Sequence, residues 1–332
     1  MHAASTSTTV SVAMCTYNGE RFVRAQLESI LTQSYPVAEV IIGDDGSSDR
    51  TVAIIRDIVA AGAAQDTVRI AFTDRVGGVV PNFERTLRAC TGSLVALSDQ
   101  DDVWHPDRIL RAVGRFDERP SLDLLASDAT IIDGDGESIG ATLWGHLYVS
   151  ADELGRIADG RGFEALIRRN VVTGATAMLR RELLEAALPL PDSWIHDEWL
   201  AILAAARGGF DVIPDQLIDY RVHGGNQIGV AEPTLRRRLA QVLAPRGDRL
   251  DRLAVRADRL VDTLDAMDVA AGVMELARLK QRFERRRSLY PASRLRRLGP
   301  VAVNASKGSY RRLSSQGNLD VIRDLAQPAS AD

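Results

Sequence analysis

Continuous apolar runs alternate with amphipathic segments over the first 132 residues of the chain. The apolar runs lie at Val10–Met14, Val40–Gly43, Val68–Phe72, Leu94–Ser98 and Leu122–Ile132. Helix-like segments separate them, at 21–33, 49–61, 82–91 and 107–118. Strands that are apolar throughout are typical of a parallel sheet whose two faces are both covered by helices. The pattern therefore predicts an α/β fold with a mainly parallel central sheet flanked by helices.

The alternation weakens after residue 132. Residues 133–160 are rich in Gly, Asp and Ser, and we expect them to form an irregular segment over the carboxyl edge of the sheet. The run Phe210–Arg221 predicts two short strands interrupted by Pro214. Between these two regions, helix, strand, helix and helix are predicted near 162–169, 175–180, 181–187 and 197–207.

A different pattern begins after Pro233. From 248 to 274, apolar residues recur in steps of three and four, which predicts one long amphipathic helix. Its apolar stripe either packs against another part of the chain or forms the seam of a homodimer. We therefore expect two domains, an α/β domain over 8–230 and a helical, Arg-rich extension over 231–332.

The composition is that of a globular protein, with 45% hydrophobic and 26% charged residues. Cys15 and Cys90 are too few for a disulfide framework, and no Cys/His cluster has the spacing of a zinc site. The N-terminal residues lack the basic start and the apolar core of a signal peptide, and no run of about 18 apolar residues occurs. These features predict a cytoplasmic protein without a membrane span.

Positive charge is concentrated towards the C-terminal end. Residues 231–332 hold 21 of the 41 Lys+Arg but only 12 of the 45 Asp+Glu, and Glu284 is the one acid between 278 and 312. The basic segment 278–312 predicts either a helix on an anionic membrane surface, such as the inner face of the plasma membrane, or a solvated helix face. Nucleic-acid binding is not expected, because the rest of the chain is acidic and no recognition motif is present.

An Asp-x-Asp pair follows the fourth apolar run. Asp99 and Asp101 come directly after Leu94–Ser98, so both carboxylates lie at the carboxyl end of that strand. Carboxylate oxygens suit Mg²⁺ or Mn²⁺, which keep several waters and bind the phosphates of a substrate. The pair therefore predicts a cation site that receives a nucleotide diphosphate. The alternative is turn chemistry, in which Asp side chains bond to their own backbone.

Two further polar loops follow the first and second strands, at 15–19 and 44–49. Ligands of open parallel sheets bind at the carboxyl edge, so the three loops are expected to converge on one site. There Tyr17 offers an aromatic face to a base, and Asp45 can accept from a pyrimidine N–H or a ribose hydroxyl. Taken singly, a half-buried tyrosine and an Asp-Gly-Ser-Ser turn explain these residues better.

In order and spacing, the stretches 10–19, 41–49 and 99–101 resemble the family 2 inverting glycosyltransferases, a likeness that extends over roughly residues 8–228. The resemblance implies the A-type glycosyltransferase fold and a nucleotide-diphosphate sugar donor. It implies that Asp101 is the principal metal ligand and that Asp99 reaches the ribose or the metal. The residues implied to line the nucleotide pocket are Cys15, Thr16, Tyr17, Asp45 and Asn82, with Asp45 gripping the base.

A later acidic pair, Asp197-Glu198, is the candidate for the general base. Direct displacement at the anomeric carbon needs a group that takes the acceptor proton opposite the leaving diphosphate. Family members usually carry a Glu-Asp pair here with the Asp as base, and in this chain His196 replaces the Glu. The resemblance therefore implies Asp197 as base and Glu198 as its competitor. The alternative is that both acids only stabilise a helix start through the macrodipole.

The segment Asp219–Asn226 follows the last strand-like run. Its His223 matches the position from which relatives complete the metal or diphosphate site, although Mg²⁺ and Mn²⁺ bind mostly oxygen. Arg221 is the second candidate in this segment, either as a diphosphate ligand or as one half of a surface salt bridge.

At subgroup level, the stretches Ser98–Trp104, His196–Leu200 and Tyr220–His223 resemble a bacterial rhamnosyltransferase-like branch that builds cell-surface polysaccharide. This implies dTDP-L-rhamnose as donor and a glycan or a polyprenyl-diphosphate-linked acceptor, while UDP-hexose donors stay open. A nicotinamide-dependent oxidoreductase is disfavoured, because no Gly-x-Gly-x-x-Gly turn follows the first strand. A phosphatase is disfavoured because its Asp-x-Asp pair follows the first strand and not the fourth. A non-catalytic scaffold with this fold is the non-enzymatic hypothesis.

Overall fold

The structure is a computed structural model, which describes residues 8–62, 64–224 and 244–328. The chain divides into two compact units. The α/β unit comprises Met1–Gly160 and Val171–Val230, and the helical unit comprises Arg161–Asn170 and Ala231–Asp332. The predicted boundary at residue 230 falls outside the described residues, so the division into 8–230 and 231–332 stays a prediction.

The helices and strands follow one another in a fixed order along the described residues. In chain order they are β1 (Val10–Thr16), α1 (Val23–Leu31), β2 (Glu39–Asp44), α2 (Thr51–Ala61), β3 (Val68–Phe72), α3 (Val79–Ala89), β4 (Leu94–Ser98), β5 (Val103–Trp104), α4 (Arg108–Glu118), β6 (Leu124–Ile132), β7 (Ser138–Thr142), α5 (Leu143–His146), α6 (Ala151–Ala158), α7 (Gly162–Leu166), a 3₁₀ turn (Gly174–Thr176), β8 (Ala177–Arg180), α8 (Glu182–Ala187), α9 (His196–Ala206), β9 (Phe210–Arg221), α10 (Arg249–Asp265), α11 (Ala271–Ser288), α12 (Arg294–Ser306), α13 (Ser309–Leu313) and α14 (Asn318–Ala326).

One sheet organises the α/β unit, with the strand order β3-β2-β1-β4-β8-β6-β9-β5 and with β7 paired to β6. The first four strands in this order are parallel, as predicted. Strand β8 runs antiparallel to both of its neighbours, β4 and β6, while β6 and β9 are parallel to each other. The carboxyl ends of β1, β2, β4 and β9 therefore lie at the same edge as the start of β8.

Both faces of the sheet are covered, which explains why its strands are apolar throughout. Every residue of β1 is buried. Val12 and Met14 belong to a core that includes Leu27 of α1 and Ile109 of α4. Ala13, which points to the opposite face, is equally buried. The α/β fold with a helix-flanked sheet is thus confirmed.

Two predictions about the later part of this unit are wrong. Residues 133–160 are not irregular, because they contain β7, α5 and α6, and Ser150 and Glu153 form a capping box at the start of α6. Phe210–Arg221 is one strand. Its pairing with β6 shifts register between Ile213 and Gln216, so Pro214 lies in a bulge where its missing N–H costs no ladder hydrogen bond.

The predicted single helix over 248–274 is also wrong. The chain forms two helices, of which α10 ends at Asp265 and α11 begins at Ala271. Ion pairs from Arg278 to Asp265 and from Arg285 to Asp258 show that they run antiparallel. The apolar stripe of α10 is buried within the chain, so it packs on a neighbouring helix and does not present the seam predicted for a homodimer.

The helical unit also buries a cluster of charges. Arg287 donates to Asp324 at 2.7 and 3.0 Å and to Glu284 at 2.7 Å, and all three side chains are almost fully buried. Arg249 donates to Asp324 at 3.0 Å. Part of the basic segment predicted to face a membrane or solvent is therefore engaged inside the fold.

Candidate active site

A cavity of about 400 Å³ opens at the carboxyl edge of the sheet in the α/β unit. The loops after β1, β2, β4 and β9 and the first turn of α9 contribute to its wall. The predicted site residues that line this cavity are Cys15, Thr16, Tyr17, Asp45, Asn82, Asp99, Asp101, Asp197 and His223. The structure thus brings the nucleotide, metal and base candidates together around one space.

Two predicted site residues lie outside the wall that the described residues form. Glu198 follows Asp197 on α9 and is half-buried. Arg221 is buried, and its guanidinium donates to the carbonyls of Asp101 at 2.8 Å and Asp133 at 3.0 Å. These bonds tie the end of β9 to the Asp101 loop, so Arg221 braces that loop in this structure. Its contact with a diphosphate stays a prediction.

Asp44 locks the ends of β1 and β2 together. Thr16 and Asp44 are partners in the parallel register, and the Thr16 hydroxyl donates to Asp44 Oδ2 at 2.7 Å. Ser47 donates to the same oxygen through its hydroxyl at 2.6 Å. Because Asp44 is fully buried, its carboxylate shapes the two loops, and its neighbour Asp45 lines the cavity.

The carboxylate of Asp45 holds the loop that precedes α3. It accepts from the backbone N–H groups of Val76, Gly77 and Gly78 at 2.6, 3.0 and 2.9 Å. Burial raises the pKa of Asp45, but these three bonds outweigh it and leave the pKa below its ordinary value. A carboxylate has about four acceptor positions, so this one keeps about one for a base or ribose.

Two further pocket residues present neutral groups. Asn82 donates to the Gly43 carbonyl at 2.7 Å and accepts from Arg85 Nε at 2.9 Å. Cys15 Sγ lies 3.6 Å from the Thr86 hydroxyl, and burial raises the pKa of this thiol well above its ordinary value. Cys15 is therefore a neutral part of the wall and not a nucleophile.

Negative charge accumulates in the loop after β4. Burial and the carboxylates of Asp101 and Asp197 raise the pKa of Asp99 to about 7. Burial and the same loop's carboxylates raise the pKa of Asp102 well above its ordinary value, and Asp102 Oδ2 has no hydrogen-bond partner among the described residues. Burial lowers the pKa of the nearby Arg108 to about 9. In this loop burial and mutual repulsion therefore outweigh the adjacent arginine, so Asp99 and Asp102 ionise less readily than ordinary aspartates.

The chemistry of the wall fits a hard divalent cation. His223 Nε2 lies 2.9 Å from Asp101 Oδ2, and Asp99 lines the same cavity. Among the described residues, no group of three or more His, Cys, Asp or Glu side chains forms a ready-made metal site. Mg²⁺ typically takes one or two carboxylates and completes its shell with phosphates and water. The sparse donor set and the crowded carboxyl groups therefore match a cation that arrives with a diphosphate.

Two backbone groups fix the carboxylate of Asp197. Its Oδ2 accepts from the Gly174 N–H at 2.8 Å, and its Oδ1 accepts from the Glu198 N–H at 2.6 Å. Gly174 begins the turn before β8, and because β8 is antiparallel to β4, this turn reaches the same edge as Asp99. A Cβ on Gly174 would lie 2.8 Å from His196 Nε2, so only glycine fits there without displacement.

His196, which replaces the usual glutamate, places an uncharged aromatic ring beside Asp197. Its ring stacks on Phe83 with centroids 4.0 Å apart and planes inclined by 17°. Burial lowers the pKa of His196 to about 3, and neither ring nitrogen has a hydrogen-bond partner among the described residues. The substitution therefore removes a charge beside the base candidate and replaces it with an aromatic contact.

Sequence reasoning missed several residues of this wall. Gln100 exchanges two hydrogen bonds with the backbone of Tyr17, at 2.8 and 2.9 Å, and so joins the first and third loops. Gly19 leaves room for this side chain, because a Cβ there would lie 2.2 Å from Gln100 Oε1. The position of Gln100 between two aspartates was the available signal. Other lining residues that were not predicted are Phe22, Phe83, Thr173, Gly174 and Tyr220.

Comparison with known proteins decides the family. A sequence model described as Glycosyl transferase family 2 matches residues 11–188, which is more than half of the chain. The chain belongs to this family. The match contains the three polar loops after β1, β2 and β4, and it ends before Asp197.

Curated family relatives match over part of their length. An uncharacterised glycosyltransferase of Nostoc is 28% identical over 222 residues, which are 65% of this chain and 66% of that protein. A dTDP-rhamnosyl transferase of Shigella flexneri is 31% identical over 103 residues, which are 30% of this chain and 35% of that protein. The chain thus spans two thirds or less of the length of these relatives.

Solved structures show the same fold. TarS residues 1–349 of S. aureus, in complex with UDP-GlcNAc, give a TM-score of 0.61 at 15% identity, covering 96% of this chain and 90% of that one. A mannosyltransferase of Pyrobaculum calidifontis, in complex with GDP-Man and Mn²⁺, gives 0.52 at 17% identity, covering 96% and 84%. These likenesses confirm the predicted A-type glycosyltransferase fold.

Proposed function

We propose that the α/β unit is an inverting glycosyltransferase that moves a sugar from a nucleotide-diphosphate donor to an acceptor hydroxyl. The observation that carries the proposal is the convergence of Asp45, Asp99, Asp101 and Asp197 on one cavity. These four carboxylates come from two loops and a helix start that are far apart in sequence. Turn chemistry alone gives no reason for them to share one cavity.

The nucleotide is proposed to lie against the loops after β1 and β2. Tyr17 offers its ring to the base, and Asp45 keeps an acceptor position for a base N–H or a ribose hydroxyl. Cys15, Thr16 and Asn82 complete the wall. Asp99 is proposed to reach the ribose or the metal, and Arg221 is proposed to brace the Asp101 loop.

Mg²⁺ or Mn²⁺ would be held by Asp101, with Asp99 and His223 as further donors, and when bound it offsets the charge of the departing diphosphate. The mannosyltransferase neighbour that contains Mn²⁺ supports a divalent metal. The protein's own part is to hold the Asp101 loop in place, and Arg221 contributes by donating to the Asp102 carboxylate and to the Asp101 carbonyl.

Asp197 is proposed as the general base. The N–H groups of Gly174 and Glu198 hold its carboxylate at the cavity wall, where it takes the proton of the acceptor hydroxyl. The acceptor oxygen then bonds to the anomeric carbon as the bond to the diphosphate breaks, and the configuration inverts in one step. Glu198 lies outside the described wall, so Asp197 is favoured over it.

For the donor we propose dTDP-L-rhamnose, supported by the motifs shared with the rhamnosyltransferase-like branch and by the Shigella relative. A UDP-hexose such as UDP-galactose or UDP-glucose is the second candidate, and the UDP-GlcNAc in TarS supports a uridine nucleotide. The acceptor is proposed to be a glycan or a polyprenyl-diphosphate-linked sugar of cell-surface polysaccharide, reached from the cytoplasmic face of the plasma membrane.

A donor screen that measures released nucleoside diphosphate tests this proposal. The full chain is assayed with dTDP-rhamnose, UDP-galactose, UDP-glucose, UDP-GlcNAc and GDP-mannose, with Mn²⁺ or with EDTA. Turnover of one donor is expected, lost in Asp101→Ala and Asp197→Ala and kept in Asp117→Ala, an exposed acid on α4. Equal release by the Asp101→Ala variant would overturn the assignment of the site.

A further inference from the structure

Helix α12 (Arg294–Ser306) buries mostly polar side chains and exposes apolar ones, the reverse of an ordinary surface helix. The side chains that it buries are Arg297, Val301 and Asn304, of which two are polar. Arg297 donates to the Asp324 carbonyl at 2.7 Å, and Asn304 donates to the Tyr290 hydroxyl at 2.6 Å. An ordinary surface helix buries its apolar side chains and exposes its polar ones. The inward face of α12 thus makes hydrogen bonds from two polar side chains and an apolar contact only from Val301.

The outward face of α12 is apolar. Leu295 is 80% exposed, Leu298 is 53% exposed and Val303 is 50% exposed. At 100° per residue these positions surround Ala302 on the side of the helix opposite Arg297 and Asn304. Leu289, in the turn before α12, is 81% exposed. We call the exposed side chains of Leu289, Leu295, Leu298 and Val303 the apolar strip.

Helix α14 (Asn318–Ala326) repeats the reversal. It buries Asp320 and Asp324, while Leu319 and Ile322 are half exposed. Single exposed leucines are common on protein surfaces and need no explanation. The same arrangement on two helices of one unit is not explained in that way. The helical unit therefore turns charge inward and apolar side chains outward on at least two of its described helices.

The residues around the apolar strip are cationic. From 285 to 312 the sequence contains no Asp or Glu. The exposed cations of this stretch are Arg285, Arg286, Arg294, Arg296, Lys307, Arg311 and Arg312. Arg285 is paired with Asp258, whereas the stretch itself supplies no acid to the others. An apolar face flanked by arginines complements a surface that is apolar inside and anionic outside.

We propose that the apolar strip docks the protein on an anionic lipid surface. The 13 residues of α12 span about 20 Å at 1.5 Å per residue, too short to cross a bilayer of about 30 Å. No described helix is long and apolar enough to cross a membrane. The helix lies flat, with its leucines among the acyl chains and its arginines at the phosphates. This inference builds on the lipid-acceptor part of the proposed function, but vesicle binding needs no sugar transfer.

Vesicle co-sedimentation of the full chain tests the docking. Phosphatidylcholine vesicles with 30% phosphatidylglycerol are expected to bind the protein about tenfold more tightly than pure phosphatidylcholine. Leu295→Ser with Leu298→Ser is expected to weaken binding to the anionic vesicles by about tenfold or more. Arg294→Gln with Arg296→Gln is expected to remove most of the preference for anionic lipid. All these side chains are exposed, so the thermal transition should not move.

Val255→Ser is the matched control, because Val255 is 55% exposed on α10 and lies outside the basic stretch. It should bind vesicles like the unaltered chain. Equal binding to the two vesicle types, or unchanged binding after the leucine substitutions, would overturn the proposal. If those substitutions instead convert a dimer into a monomer without changing vesicle binding, the strip belongs to a second copy. Turnover of a soluble acceptor, measured in parallel, reports on the proposed function separately.

Discussion

The buried charges around Arg287 and those in the loop after β4 are compensated in opposite ways. In the helical unit, Arg287 bonds to both Glu284 and Asp324, and Lys280 lies 2.8 Å from Glu284. Despite burial, Lys280 and Arg287 hold the pKa of Glu284 below its ordinary range, and Arg287 does the same for Asp324. In the α/β unit, burial and mutual repulsion raise the pKa values of Asp99 and Asp102. The chain itself compensates the acids around Arg287, whereas it leaves Asp99 and Asp102 without enough cationic or hydrogen-bonding partners.

The contrast separates charges that hold a fold from charges that await a ligand. Buried ions are costly unless the chain supplies partners, so a structural cluster is expected to be closed, as that of Arg287 is. Strongly perturbed carboxyls in a cleft are instead typical of functional sites. Asp99 and Asp101 line the cavity, whereas Asp324 is almost fully buried among helices. Burial alone does not distinguish the two roles; compensation does.

The largest expected effect is on turnover. Asp197→Asn keeps the shape of the side chain but cannot accept the acceptor proton, so we expect kcat to fall about 10²- to 10⁴-fold. The measurement is steady-state release of nucleoside diphosphate with a saturating donor. The free energy of unfolding should stay within about 1 kcal/mol, because the amide oxygen can still accept from one of the two backbone N–H groups.

Glu198→Gln is the matched control for that variant, because it makes the same chemical change one residue along α9. Its kcat should remain within a few-fold of the unaltered chain. A dead Glu198→Gln enzyme beside an active Asp197→Asn enzyme would move the base by one residue and contradict the assignment made here.

The opposite outcome is expected in the helical unit. Arg287→Met removes a buried cation that both Glu284 and Asp324 share and leaves Lys280 and Arg249 as their charged partners, so the free energy of unfolding should fall by about 3 to 5 kcal/mol. Urea unfolding followed by circular dichroism measures this loss. Turnover of a soluble acceptor per folded molecule should be unchanged.

Arg286→Met serves as the control, since Arg286 is the exposed neighbour of Arg287 and its loss should cost no more than about 0.5 kcal/mol. If Arg286→Met and Arg287→Met destabilise equally, the buried cluster does not hold this unit together.

Where the local pattern of apolar residues agrees with burial in the fold, the sequence was sufficient to predict the bounds of the strands. The bounds of β3 and β4 were predicted to the residue. In an α/β pattern, a short run of mainly apolar residues is typical of a strand in a parallel sheet. The break between Asp265 and Ala271 was not predictable in this way. No Gly or Pro lies between them, and the apolar spacing continues across the break, so only packing of α10 against α11 decides it.

The candidate site likewise has some features that could be predicted from the sequence and others that depend on tertiary packing. The convergence of the Tyr17, Asp45 and Asp101 loops follows from the parallel strands, so it could be predicted. The contribution of Gly174 could not, because it depends on β8 running antiparallel beside β4. The enclosure of His196 against Phe83 likewise depends on contacts between α9 and α3 that leave no periodic signal in the sequence.

A smaller effect on kcat is expected at Gly174, whose N–H positions the Asp197 carboxylate but takes no part in the proton transfer. In Gly174→Ala the new Cβ would lie 2.8 Å from His196 Nε2, so the His196 ring must move, and we expect this to displace the neighbouring Asp197 at the same helix start. Displacement of a reacting group by about 1 Å can cost on the order of 10²-fold, and we expect kcat to fall by about 10- to 100-fold with KM for the donor little changed. Gly114→Ala, where nothing lies near the new Cβ, should leave both constants unchanged.

The smallest effect is on pH dependence, which should have opposite signs at Asp99 and at the buried acids Glu284 and Asp324. The pKa of Asp99 is raised from 3.8 to about 7, so between these values the folded, metal-free chain holds a proton that the unfolded chain has released. The contribution of Asp99 to stability should therefore fall as pH rises from about 4 to about 7, whereas the lowered pKa of His196 contributes the opposite sign. The lowered pKa values of Glu284 and Asp324 have the reverse consequence, because stability is lost as pH falls below about 4.

Peptide-resolved hydrogen exchange of the metal-free protein, corrected for intrinsic rates, measures both signs at once. Residues 94–104 should be better protected at pH 5 than at pH 7.5, and residues 280–290 better at pH 5 than at pH 3.5. The first difference should be about 1 kcal/mol or less, because Asp99 borders an open cavity where water screens its charge. Asp99→Asn should abolish it. The same sign in both regions would show that compensation, on which the contrast between fold and site depends, does not distinguish them.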